Sequence, residues 1–225
     1  MTVKFNIKAS YHGTLPFAKG LDLQYDKCNL VSTGATDDQL LLLQHDHVYT
    51  LGRRGTNEDI LIGEDGSHQR GIEVYNTDRG GEVTYHGPGQ LVVYPIINLK
   101  RRSLGPMQYL RKIEEVIRNV LRQSGLTSET NDLPTGVWIG KSKIASIGVK
   151  IKKGTTLHGF ALNVTTDLAY FEHIVACGLP NSCSTSVAQE MDSNPNFVEI
   201  TKLTASEFAN VFGYSLNWEE GLEPK

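Results

Sequence analysis

Seventeen residues, Arg79-Gly-Gly-Glu-Val-Thr-Tyr-His-Gly-Pro-Gly-Gln-Leu-Val-Val-Tyr-Pro95, limit what this chain can become. Four glycines and Pro88 punctuate an Arg, a Glu, a Thr, a Tyr and a His, and the stretch then runs into the apolar Leu91, Val92, Val93 and Tyr94. A short apolar run bounded by turn signals reads as a buried strand. Glycine lets the backbone turn with positive φ or approach a bound group closely. An ordinary tight turn is the plainer reading of the glycines alone. The variety of hydrogen-bonding side chains favours a binding loop held on a buried strand.

Strands and helices intermix along the rest of the chain, which predicts a mixed α+β sheet with flanking helices rather than a doubly wound one. The N-terminal residues alternate like a strand. Residues 15–30 read as a first helix that Gly20 weakens, and residues 39–52 as a strand pair or one long strand. Residues 63–71 read as a polar surface loop and 91–98 as a buried strand. The clearest helix is 106–123: Leu110, Ile113, Ile117, Val120 and Leu121 share one face, Pro106 suits the first turn and Gly125 the stop. Residues 137–139 and 144–149 form a hairpin about Gly140-Lys141-Ser142, and 160–164 a further strand. Thr204 and Glu207 have capping-box spacing before a short last helix. No repeat or linker divides the 225 residues, so residues 1–225 are expected to form a single catalytic domain.

Composition narrows the function. Apolar content of 39 % and charged content of 21 % suit a soluble globular protein. No apolar run approaches a membrane span, and no secretory h-region is present. A net charge of −3 disfavours nucleic acid as a partner. Three cysteines, Cys28, Cys177 and Cys183, have no framework spacing and suggest a reduced, intracellular setting. Basic residues nevertheless cluster at Arg53 and Arg54, at Lys100, Arg101 and Arg102, and at Lys150, Lys152 and Lys153. Such clusters are ordinarily solvated surface. Arg101, Arg102, Lys150 and Lys152 are the expected contacts if they steer an acidic protein instead.

Two apparent motifs fail. Gly136-Val-Trp-Ile-Gly-Lys-Ser142 has three residues between its glycines, where a phosphate loop needs four. His45, His47, His86 and His158 lack the spacing of a metal site. The cysteines differ in setting. Cys28 falls in the first helix and reads as core. Cys183 lies between Ser182 and Ser184 and reads as exposed. Cys177, between Ile174-Val175-Ala176 and Gly178, reads on its own as a small buried hydrophobe. A thiolate accepts acyl groups and leaves again, provided a nearby cation lowers its pKa.

Three ordered segments carry a resemblance. Arg79 to Pro95, Gly140-Lys-Ser-Lys-Ile-Ala-Ser-Ile-Gly-Val149, and Leu157-His-Gly-Phe-Ala-Leu-Asn-Val164 followed by Ile174-Val-Ala-Cys-Gly178 together resemble the lipoyl(octanoyl) transferases, the octanoyltransferase family. The resemblance spans residues 25–189. It implies the fold shared by biotin and lipoate protein ligases. It implies that Cys177 carries the acyl group and that Lys143 lowers its pKa. It further implies a substrate site of Arg79, Gly80, Gly81, Glu82, Val83, Thr84, Tyr85 and His86, with Ser146, Ile147 and Gly148 and with Gly159, Phe160 and Ala161. The implied donor is octanoyl-acyl carrier protein. The implied acceptors are lysines of lipoyl domains, in 2-oxoacid dehydrogenase complexes and in the glycine cleavage H protein. This is the first step of endogenous protein lipoylation, with no metal, nucleotide or other cofactor. Ala176 departs from the family's Pro before the cysteine, and proline fixes φ. A cytoplasmic location is expected, with the mitochondrial matrix as the alternative. The rival functions are an ATP-using lipoate or biotin-type ligase and a non-catalytic adaptor for carrier domains.

Overall fold

Leu40, Leu41, Leu42 and Leu43 are all fully buried, which a strand allows only when both faces of its sheet are covered. The computed structural model describes residues 5–129, 133–175 and 183–225. In chain order the elements are β1 (Phe5–Leu15), α1 (Phe17–Thr33), β2 (Asp38–His45), β3 (Val48–Leu51), α2 (Gly63–Gln69), β4 (Glu73–Asn76), β5 (Val83–His86), β6 (Gln90–Ile96), α3 (Pro106–Gln123), β7 (Gly136–Ile139), β8 (Ser142–Lys152), β9 (Thr155–Asn163), β10 (Cys183–Ser184), α4 (Val187–Met191), α5 (Phe197–Phe212) and β11 (Tyr214–Trp218). The large sheet has the order β10-β8-β9-β6-β2-β1-β11, with β7 also paired to β8. A second sheet has the order β4-β3-β5.

Alternation along β2 divides the core. Leu40 and Leu42 face the cluster that holds Ile113, Val116, Ile117 and Val120 of α3 and Ala205 and Phe208 of α5. Leu41 and Leu43 face Cys28 and Val31 of α1, with Val92 and Tyr94 of β6. Each fully buried Leu, Ile or Val contributes about 1.5–3 kcal/mol. Helices thus cover both faces of a mixed sheet, as expected. Cys28 is core, and burial pushes its thiol pKa up.

Helix α3 and the β7–β8 hairpin form where the sequence places them. Four expectations need correction. Residues 39–52 are two strands, but β2 and β3 lie in different sheets, separated by Asp46 and His47. The expected loop at 63–71 contains α2. Its first turn holds Glu64 and Asp65, charges that suit a helix dipole, and the Ser67 hydroxyl donates to Gly63 O. The last helix begins earlier, because Asn196 caps it by accepting from Val198 N and Glu199 N. Thr204 lies inside α5 and donates to Ile200 O at 2.7 Å. The strand expected at 160–164 starts at Thr155, and every residue of β9 is buried.

Candidate active site

A cavity of about 570 Å³ opens between the two sheets on the α1 side of β8, β9 and β6. Registration builds its floor. Ser146 of β8 lies opposite Ala161 of β9, and Ala161 opposite Val92 of β6. Gly148 lies opposite Gly159 in the same pairing. Of the residues expected to bind substrate, Arg79, Gly80, Gly81, Glu82, Val83, Thr84, His86, Ser146, Ile147, Gly148, Gly159, Phe160 and Ala161 all line this cavity. Tyr85 does not. Side chains alternate along β5, so Thr84 and His86 face the cavity while Tyr85 is buried in the small sheet's own core. There it stacks on Tyr170 with centroids 4.8 Å apart, and its hydroxyl lies 2.8 Å from His47 Nδ1.

The glycine-rich segment bridges the sheets. Gly52 N donates to Glu82 O, Arg53 N to Arg79 O and Arg54 N to Gly81 O, while Gly80 N donates to Val149 O of β8. Arg79 is buried, and its guanidinium donates to Thr50 Oγ1 at 2.9 Å and to Gly80 O at 3.0 Å. Burial alone would raise the Glu82 pKa, but the 2.8 Å bond from Arg54 outweighs it and holds the carboxylate below its ordinary value.

Lys143 is 8 % exposed and lines the cavity from β8. Its ammonium lies 5.3 Å from the Trp138 ring centre, a cation–π distance. Its carbonyl accepts from Thr185 N at 2.9 Å, so β10 braces this stretch. Gly136 gives the side chain passage: a Cβ there would fall 2.3 Å from Lys143 Cε, and its φ of +147° is one that L side chains rarely adopt. Cys177 and Ala176 lie outside the described residues. Cys183 is exposed and pairs with Ser142.

Histidines line the opposite part of the cavity. His86 Nδ1 donates to Gln90 Oε1 at 2.7 Å, and Gln90 Nε2 donates to Asn163 Oδ1 at 2.9 Å. His45 stands behind the wall. Its Nδ1 donates to Leu15 O at 2.8 Å and its Nε2 accepts from the Tyr94 hydroxyl at 2.7 Å. Burial pushes the His45 pKa down to about 4. Burial, with His45 nearby, pushes His86 down to about 3. His158 takes a positive φ of 56° inside β9, a conformation that costs of order 1–3 kcal/mol outside glycine. Its N–H donates to Gln24 Oε1 and its Nε2–H to Asp78 Oδ1, both at 2.8 Å. Burial would raise the Asp78 pKa, but Lys150, His158 and Tyr25 all donate to its carboxylate and hold it well below the usual range.

These histidines predict acid sensitivity. Unfolded, each takes a proton near pH 6.5, whereas the fold keeps His45 neutral to about 4 and His86 to about 3. The unfolded state therefore binds more protons in that window, and stability is lost as pH falls through it. His45 alone accounts for about 3 kcal/mol. Urea midpoints at pH 7 and pH 4.5 should differ clearly for the wild type and less for His45→Gln. Equal pH dependence would show that His45 is not the group responsible.

Sequence reasoning missed Phe17, Val92, Tyr94, Pro134 and Thr135 as lining residues, and weighed His158 only as a metal ligand. Alternation along β6 was the available signal for Val92 and Tyr94, since both share a face with Gln90. The basic residues expected to steer an acidic protein also make contacts within the fold. Arg101 donates to the buried Asp38 at 2.6 Å. Arg102 lies over the Phe5 and Tyr214 rings at 4.1 and 4.3 Å and donates to Phe212 O. Lys150 is held by Asp78, and Lys152 lies 5.1 Å from the Tyr25 ring centre. These side chains have partners within the fold, while Arg101 and Lys152 remain exposed. Only Arg54, among the clustered residues, lines the cavity.

A mixed sheet between helices, with a cavity between it and a small second sheet, is the architecture of a known catalytic domain. The family model described as the lipoyl protein ligase A/B catalytic domain matches residues 16–209. A lipoate-protein ligase A structure bound with ATP superposes with a TM-score of 0.76 at 18 % identity, covering 98 % of this chain and 91 % of that one. A bi-partite lipoate protein ligase from Thermoplasma acidophilum, solved in a study with its E2 lipoyl domain, superposes at 0.70 with 18 % identity, covering 98 % and 89 %. The octanoyltransferase of Solibacter usitatus is 41 % identical over 206 residues, 91 % of this chain and 92 % of that one. The chain belongs to this ligase A/B catalytic family and, within it, to the octanoyltransferases. It is an acyltransferase.

Proposed function

We propose that this acyltransferase moves an octanoyl group from acyl carrier protein to a lysine of a lipoyl domain through a thioester on Cys177, and that residues 1–225 act as one catalytic domain. The observation that carries the reading is Lys143, a buried cation lining a cavity with a small-residue and apolar floor. In the first step the Cys177 thiolate attacks the donor's thioester carbonyl. The new C–S bond forms, the old one breaks, and the carrier thiolate takes a proton from the Lys143 ammonium. In the second step the acceptor amine attacks the acyl-cysteine. An amide forms, Cys177 leaves as thiolate, and the amine's proton returns to Lys143. Backbone N–H groups suit the transient oxyanion. The donor arrives already activated, so neither metal nor nucleotide enters. The acceptor reading is supported by the lipoyl domain in the T. acidophilum study. Cytoplasm is the proposed compartment.

Mass spectrometry after incubation with octanoyl carrier protein tests this. One octanoyl group should appear on the Cys177 peptide and disappear when a lipoyl domain is added. An adduct on Cys183 would overturn the Cys177 assignment. Modification of the lipoyl domain only with free octanoate and ATP would favour the ligase reading. Binding without transfer would favour the adaptor.

A further inference from the structure

We propose that Phe17 and Tyr94 form the end wall of the acyl groove and set the longest chain this enzyme accepts. The inference rests on the acyl-transfer reading above and adds the residues that measure the substrate. From Ser146 across Ala161 to Val92 the floor runs two strand spacings, roughly 10 Å. A staggered eight-carbon acyl chain is about 9 Å long, from seven bonds advancing about 1.25 Å each. Across the sheet Val92 meets the buried Leu43 of β2, and on the same face of β6 Tyr94 follows it, at the end of the neighbouring row through Gly148 and Gly159. Phe17, from the first turn of α1, and Tyr94 both line the cavity and are 3 % and 4 % exposed.

The wall is braced from behind. The Phe17 ring lies 5.2 Å from the His45 ring and 6.3 Å, stacked, from His86. Tyr94 is pinned by the 2.7 Å bond from its hydroxyl to His45 Nε2, and His45 in turn by Leu15 O. Gly20 presses on the same imidazole, since a Cβ there would sit 2.6 Å from His45 Cε1. Rings held this way cannot swing aside for a longer chain. Tyr94 ends the row through Gly148 and Gly159, and Phe17 lines the same cavity.

The test is transfer to a lipoyl domain from hexanoyl, octanoyl, decanoyl and dodecanoyl carrier protein in competition. Phe17→Ala removes the ring and should move the preferred chain to decanoyl or longer. Each buried methylene changes binding about fourfold, so the decanoyl-to-octanoyl ratio of kcat/KM should rise roughly fifteenfold. Phe17→Leu should give a smaller shift in the same direction. Ala161→Leu fills mid-floor and should favour hexanoyl. Should Phe17→Ala fail to fold, the Phe17→Leu and Ala161→Leu pair decides. If the wild type transfers octanoyl and all variants keep its order of preference, the wall does not measure length, although the transfer reading stands. If the wild type transfers no acyl chain, both fail.

Discussion

Gly159→Ala should unfold this protein at markedly lower denaturant than the wild type. An added Cβ would lie 2.1 Å from Val93 O and 2.6 Å from Pro95 Cδ. Neither atom ends a flexible side chain. Val93 sits in β6, which is paired on one side with β2 and on the other with β9. Relief would therefore require parting two strands at the centre of the large sheet. Overpacking usually costs 1–3 kcal/mol, and a clash with rigid backbone should reach about 3–5 kcal/mol. The urea midpoint should fall while the m-value holds. A midpoint within error of wild type would mean the sheet accommodates the methyl group, and that the smallness of residue 159 serves substrate alone.

Cys177→Ser should lower octanoyl transfer by on the order of 10⁴-fold or more, since removing an acyl-transfer nucleophile can cost about 10⁶-fold. Cys183→Ser should retain most activity, because that thiol is exposed in β10. Lys143→Met should separate electrostatics from packing. Its aliphatic stem still fills the space beside Gly136 and Trp138, but the charge is gone. The pH at which Cys177 is alkylated should rise by about one unit or more toward the free-thiol value near 8.5. An unchanged alkylation profile would falsify the pairing of Lys143 with Cys177.

The elements that local pattern specifies were readable from sequence. Helix α3 carries its apolar stripe, Pro106 and Gly125 in the chain itself, and the β7–β8 hairpin announces its turn at Gly140. Helix α2 was hidden because Gly63 and Gly66 mimic a loop and its main buried side chain is the small Ser67. Thr204 misled because a hydroxyl inside a helix can bond the preceding turn as well as cap a new one. The binding segment was recognisable by composition. That Tyr85 points away follows only once β5 is seen as a strand between two environments. The Lys143–Cys177 assignment came from family resemblance, since a separation of 34 residues carries no geometric information. Phe17 and Tyr94 join the cavity because β6 and the start of α1 meet in space, a relation absent from either segment alone.

The pairing of β1 with β11 has a consequence for synthesis on the ribosome. Phe5 finds its partner only at Tyr214, a separation of 214 − 5 = 209 residues. Until that segment leaves the exit tunnel, the outer side of β1 is an unpaired strand edge, and such edges invite association with other chains. The sheet that floors the cavity is likewise assembled from distant segments, so its formation is slow relative to local helices. Most of this polypeptide must therefore be made before its acyl groove can exist, and the nascent chain depends on protection of that edge until β11 arrives.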